Sequence, residues 1–122
     1  MIKEDYVNLE IAKLLNIKGF KGEFHKHYWG YEPGKEFLTQ GSFNSEYDYP
    51  APTLQTVMKW LREEKGIAVI PIISSVLDFE KFLWDVKIVV AKTGDSYSQG
   101  WVYEKQENAC EVAIKYCLEN LI

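Results

Sequence analysis

Histidine and cysteine each occur only twice in this chain, and no apolar run exceeds the seven residues of IAVIPII (67–73). Each scarcity excludes something. Seven residues fall far short of the ~20 that a membrane-crossing helix needs. The start, MIKEDYVNLE, has neither an apolar h-region nor a small-residue cleavage site, so no signal peptide is expected and the cytoplasm is the expected address. Cys110 and Cys117 stand seven apart in a helical pattern. Two turns of rise separate them by roughly 10 Å, too far for a disulfide, and there is no C-x-x-C pair to hold a metal. They read as two small apolar side chains on one helix face.

The phosphate-binding glycine loop is missing too, since KTGDS (92–96) holds one glycine and no G-x-x-x-x-G-K. Ser74 and Ser75 lack the G-x-S-x-G setting of an exposed nucleophile. Asp78 and Glu80 flank a turn, which offers little of the burial that an active carboxylate pair needs. Basic excess is absent as well. Lysine plus arginine number 14 against 18 acidic residues, a net charge of −4, and each side of residue 50 carries −2. Affinity for a phosphate backbone comes from lysine and arginine releasing counterions, so this balance argues against nucleic acid. No catalytic residue set emerges, the chain reads as a non-enzyme, and no cofactor is implied.

What is present is a foldable core. Of 122 residues, 47% are hydrophobic and 26% charged, as expected of a single globular domain spanning 1–122. Asn8 can cap a helix in which Ile11, Leu14 and Leu15 form a stripe. Gly19 then supplies a left-handed stop, with Phe20 folding back on Leu15. A second helix starts from Thr53, with Leu54, Val57, Met58 and Leu61 at helical spacing, Trp60 on the flank and Gly66 at the end. IAVIPII reads as a strand whose Pro71 places it at an edge or a bulge. KFLWDVKIVVA (81–91) alternates, which predicts a half-buried central strand with Phe82, Trp84, Val86, Ile88 and Val90 inward and Asp85 and Lys87 outward. GWVY (100–103) is expected as a third strand. A last helix is expected from Glu104 to Asn120, with Ala109, Ala113, Tyr116 and Cys117 on one face. The order is α-β-β, a loop, then α-β-β-β-α, an α+β fold with an antiparallel sheet and helices on one face. Residues 1–50 and 51–122 are its two parts.

The stretch between the first two helices has its own character. Nine of the 18 aromatics lie in residues 20–49, which favours strands. EPGK (32–35) is a turn signal, predicting a hairpin of 23–31 with 36–40. Both histidines sit in GEFHKHYWGYEPG (22–34). On a strand, Glu23, His25, His27 and Trp29 share a face, and His25, His27 and Glu23 are the weak candidates for a metal site. Phe24 and Tyr28 take the core side, which leaves the histidines in solvent and no metal expected.

Two resemblances add to this reading. The unit from Thr53 to Leu121 resembles the double-stranded RNA-binding domain in topology. That family's phosphate contacts come from a basic cluster at the start of its last helix, where this chain reads EKQENAC (104–110). EIAKLLNIKGF (10–20), APTLQTVMKWLREEKGI (51–67) and YEKQENACEVAIKYCLENLI (103–122) are similar to small proteins of gut anaerobic bacteria and their phages or mobile elements. That resemblance covers about 40% of the chain, implies a complete small protein, and brings neither an activity nor site residues.

The remaining expectation is a small cytoplasmic interaction module or adaptor that binds an unknown protein partner or itself as a homodimer, with no membrane and no nucleic acid. Its expected surface is Trp29, Tyr31, Tyr47 and Tyr49, more aromatic area than a small hairpin buries. Nucleic-acid binding through the α-β-β-β-α unit, or a metal site at His25 and His27, are the alternatives.

Overall fold

The computed structural model describes residues 5–22, 24, 26–29, 37–40, 49–77, 81–98 and 102–122. Three helices and two three-stranded antiparallel sheets follow in the order helix, strands, helix, strands, helix. The fold is α+β. The strands divide between two sheets, where a single sheet was expected. The chain gathers into two compact units, Met1–Val57 and Met58–Ile122, so the division falls inside the second helix and not at residue 50.

In the first unit, α1 (Leu9–Ile17) begins where the Asn8 side chain accepts the Ile11 N–H at 2.9 Å. Its end is a Schellman motif: Phe20 N–H donates to Leu15 O and Gly19 N–H to Asn16 O. Gly19 takes φ 75°, a backbone conformation that costs glycine least. Phe20 and Leu15 are both buried. The sheet has β1 (His27–Trp29) at its centre, between β2 (Phe37–Thr39) and β3 (Tyr49–Pro50). Pairing of Trp29 with Phe37 and His27 with Thr39 makes the expected hairpin. The third strand, β3, was not anticipated, because YPAP reads as a proline-rich stop. Pro50 nevertheless pairs with His27, and the following Ala51 N–H donates to Lys26 O at 2.9 Å. α1 packs on β3.

α2 (Leu54–Glu64) starts at Thr53, whose hydroxyl oxygen accepts the Thr56 N–H. A second first-turn donor, Leu54 N–H, reaches Asp5 O at 2.8 Å, so two N–H groups at the start of this helix are met, one by a side chain and one by backbone. Leu54, Val57 and Leu61 are buried, as their spacing predicts, and Trp60 joins them. Gly66 closes the helix at φ 65°.

In the second unit, β4 (Ile67–Leu77), β5 (Lys81–Val90) and β6 (Ser96–Ser98) form a sheet with β5 central. Pro71 does lie on an edge strand, and β4 also shifts register between Ile73 and Ser75. β6 pairs with Lys87–Val89 and precedes the expected GWVY; of that stretch Gly100 and Trp101 lie outside the described residues, and Tyr103 makes an antiparallel bridge to Trp84. α3 (Gln106–Asn120) begins two residues later than Glu104 and packs on β4 and β5. Its buried Ala109, Ala113 and Cys117 are small, at a spacing of four that aligns them on one face. Small side chains there let the helix axis approach the sheet closely.

Candidate functional site

The residues singled out by sequence fare unevenly. Tyr31 and Tyr47 of the expected aromatic surface, and Glu23 and His25 of the metal candidates, lie outside the described residues, as do Asp78 and Glu80. Trp29 is placed in β1 through its backbone alone. Tyr49 is half-buried within the first unit, opposite Tyr28, with the Lys13 Nζ 5.7 Å from its ring centroid. It belongs to local packing. The larger correction is His27, which is only 3% exposed and not in solvent. Its strand partner on the same face is Pro50, also buried, whereas Tyr28 faces the other way and donates its hydroxyl to Val7 O at 2.8 Å. Among the described residues, no three metal-ligating side chains come together.

Chemistry and exposed surface concentrate instead on β4 and β5. Trp84 exchanges backbone hydrogen bonds with Tyr103 at 2.7 and 2.8 Å, and Ala91 N–H donates to Gly66 O. Even-numbered residues of β5 therefore turn their backbone groups toward β6, and odd-numbered ones toward β4. Among the described residues, β5 pairs on the β6 side at Lys87 opposite Ser98 and again at Trp84 opposite Tyr103. Between them the Val86 N–H is taken by the Asp85 side chain, Oδ1 accepting at 2.7 Å, while Oδ2 accepts from the Ser98 hydroxyl at 3.1 Å. Asp85 is thus buried, contrary to the alternation that placed it outward. Burial, and then the negative charge of Asp85, raise the pKa of the neighbouring Tyr103 hydroxyl. On α3, burial pushes the Cys117 thiol up to about 12, which removes it as a nucleophile at neutral pH.

The two faces of the β4–β5 sheet differ. Tyr97 pairs with Ile88, and its ring meets that of Tyr116 on α3 at 6.2 Å between centroids. α3 therefore lies on the face of Val69, Val86 and Ile88, all buried. The same face continues past the helix start with Ile73, Val76, Phe82 and Trp84, and there the burial ends. Ile73 is 50%, Val76 58% and Phe82 49% exposed, a second correction, since alternation placed Phe82 inward. Phe82 and Trp84 make an edge-to-face ring pair at 6.2 Å. The opposite face carries Ile70 and Ile72, also exposed, beside the exposed Lys81 and Lys87. Sequence reasoning missed this surface because it assumed that a residue aligned with core neighbours must itself be core. The available signal was length: β5 has ten residues, and an α3 that reaches only its C-terminal half leaves the rest bare.

No family model, no curated protein and no solved structure matches the chain. None of the described helices is long and apolar enough to cross a membrane.

Proposed function

We propose that this protein is a non-catalytic interaction module whose docking surface is the outer half of the β4–β5 hairpin. The observation that carries this reading is the exposure of Ile73, Val76 and Phe82 side by side on one face of two adjacent strands, with Ile70 and Ile72 exposed on the other face. Single exposed aliphatics are ordinary, but a contiguous set marks a surface that binds. Aromatic anchors such as Phe82 and Trp84 are common at the centre of such contacts. The one buried carboxylate near this surface is committed to holding the sheet, through Val86 and Ser98. This moves the expected surface from the aromatics of residues 29–49 to the hairpin. Two buried thiols suit the reducing cytoplasm.

The test compares wild type with Phe82→Asp and Ile72→Asp as immobilised bait in extract from the source organism, with bound proteins identified by mass spectrometry. The expected result is a bound set, the chain itself included, that at least one of the two variants loses while its circular dichroism is unchanged. Identical bound sets from all three baits would reject the hairpin as a docking surface.

A further inference from the structure

We infer that the occupant of the Ile73–Val76–Phe82–Trp84 face is a second copy of this chain, packed face to face about a twofold axis. This rests on the interaction reading above and makes it specific. Three observations carry it.

The first is that the strand edge is closed to pairing. Pro71 stands opposite Val86, whose backbone groups point toward β6, so the pair shares no ladder hydrogen bond. The Pro71 nitrogen therefore faces the free edge of β4, where it offers no donor. Adding a strand there would leave an acceptor unmet in the middle of IAVIPII, which leaves the faces of the hairpin as the means of contact.

The second is charge. In a twofold interface each residue meets the same patch on its partner, so a patch must be complementary to itself. The Phe82 face has no charged side chain among its described strand residues, since its members are Ile73, Val76, Phe82, Trp84 and the bridged Tyr103. It can meet its own copy with no like-charge cost. The Ile72 face cannot, because Lys81 and Lys87 are both exposed on it and its one carboxylate, Asp85, is buried and engaged. Like charges brought together across an interface are penalised. Of the two apolar faces, one suits a second copy and the other repels it.

The third is position. The bare face continues the one that α3 covers, and Val86 and Ile88 there are 1% exposed. A second copy would extend an existing core outward, with Glu104 and Lys105, both exposed beside Tyr103, as a polar rim. Ile73, Val76, Phe82, Trp84 and Tyr103 are far fewer than the roughly 20–30 residues a side of a standard stable interface, so the dimer is expected to be weak, with a Kd on the order of 10–100 µM.

Sedimentation velocity from about 1 µM to about 500 µM brackets that range. The expected result for wild type is a concentration-dependent rise from the mass of one chain toward two. Val76→Asp and Phe82→Asp should weaken association at least tenfold, and Ser75→Asp, at an exposed position on the other face, should leave it within about twofold. Val76 is the more exposed of the two targets, so it serves if Phe82→Asp disturbs folding by circular dichroism. A wild type that stays at one chain throughout overturns the inference, as does loss of association in Ser75→Asp with Val76→Asp unaffected. Neither result touches the bait experiment, where a foreign protein captured through the hairpin would still support an interaction module.

Discussion

Among the described residues, β6 pairs with β5 as far as Lys87 and Tyr103 pairs with Trp84, and between these pairs the Asp85 carboxylate accepts the Val86 N–H. A buried backbone donor without a partner costs about 1–3 kcal/mol, and a hydrogen bond to a charged group stabilises more than a neutral one. Asp85 also holds the Ser98 hydroxyl, so one side chain supports both the middle of β5 and the end of β6. Substitutions separate these contributions. Asp85→Ala removes both acceptors and should lower stability by about 2–4 kcal/mol. Asp85→Asn retains a carbonyl oxygen for Val86 and should lose about 1–2 kcal/mol. Ser98→Ala frees one carboxylate oxygen and should lose at most about 1 kcal/mol. Urea midpoints at constant m-value measure the series. If Asp85→Ala is no worse than Ser98→Ala, the carboxylate is not stabilising the fold through the Val86 N–H.

Among the elements, those with chemical punctuation were legible from sequence. Asn8 and Gly19 delimit α1, Thr53 and Gly66 delimit α2, and in each case the cap bond or positive φ is present. The alternation in β5 and the proline of β4 likewise fixed a central and an edge strand. What alternation cannot convey is which face is covered, or how far. It groups His27 with its face-mates, yet the burial of that face depends on Pro50, twenty-three residues away in sequence and in a segment that reads as loop. Phe82 shares a face with Val86 and Ile88 in register, but α3 starts beside Tyr103 and runs away from it. The candidate site was therefore the part least legible, because it is defined by where a cover stops.

Pro71 gives β4 a further property at this scale. With its nitrogen on the free edge, it interrupts a strand that is otherwise apolar and uncharged from Ile67 to Ile73, the composition that favours edge-to-edge aggregation. Pro71→Val restores the donor without adding charge. Its native fold should be kept, and its heating or mild-denaturant light scattering should begin earlier than in wild type at equal concentration. Pro71→Lys restores the same donor along with a charge, and should scatter no earlier than wild type. Equal scattering from Pro71→Val and wild type would show that the proline does not guard this edge.

For the whole molecule, net charge decides how two copies behave as salt is varied. Each carries −4, so approach is opposed by a long-range repulsion, while the proposed contact is made by side chains without charge. The Debye length falls from about 30 Å at 0.01 M to about 8 Å at 0.15 M, which removes most of the repulsion and leaves the apolar contact intact. Association should therefore strengthen by about two- to fivefold across that range, then change little or tighten further in sulfate, which favours burial of apolar surface. A complex held by lysines on a phosphate backbone responds in the opposite sense, losing affinity steeply as salt releases its advantage. Sedimentation at the two salt concentrations thus distinguishes the proposed dimer from any charge-driven assembly, including one through the α2-β4-β5-β6-α3 unit and a nucleic acid. Weakening of self-association by salt would place the contact on charged side chains and away from Phe82.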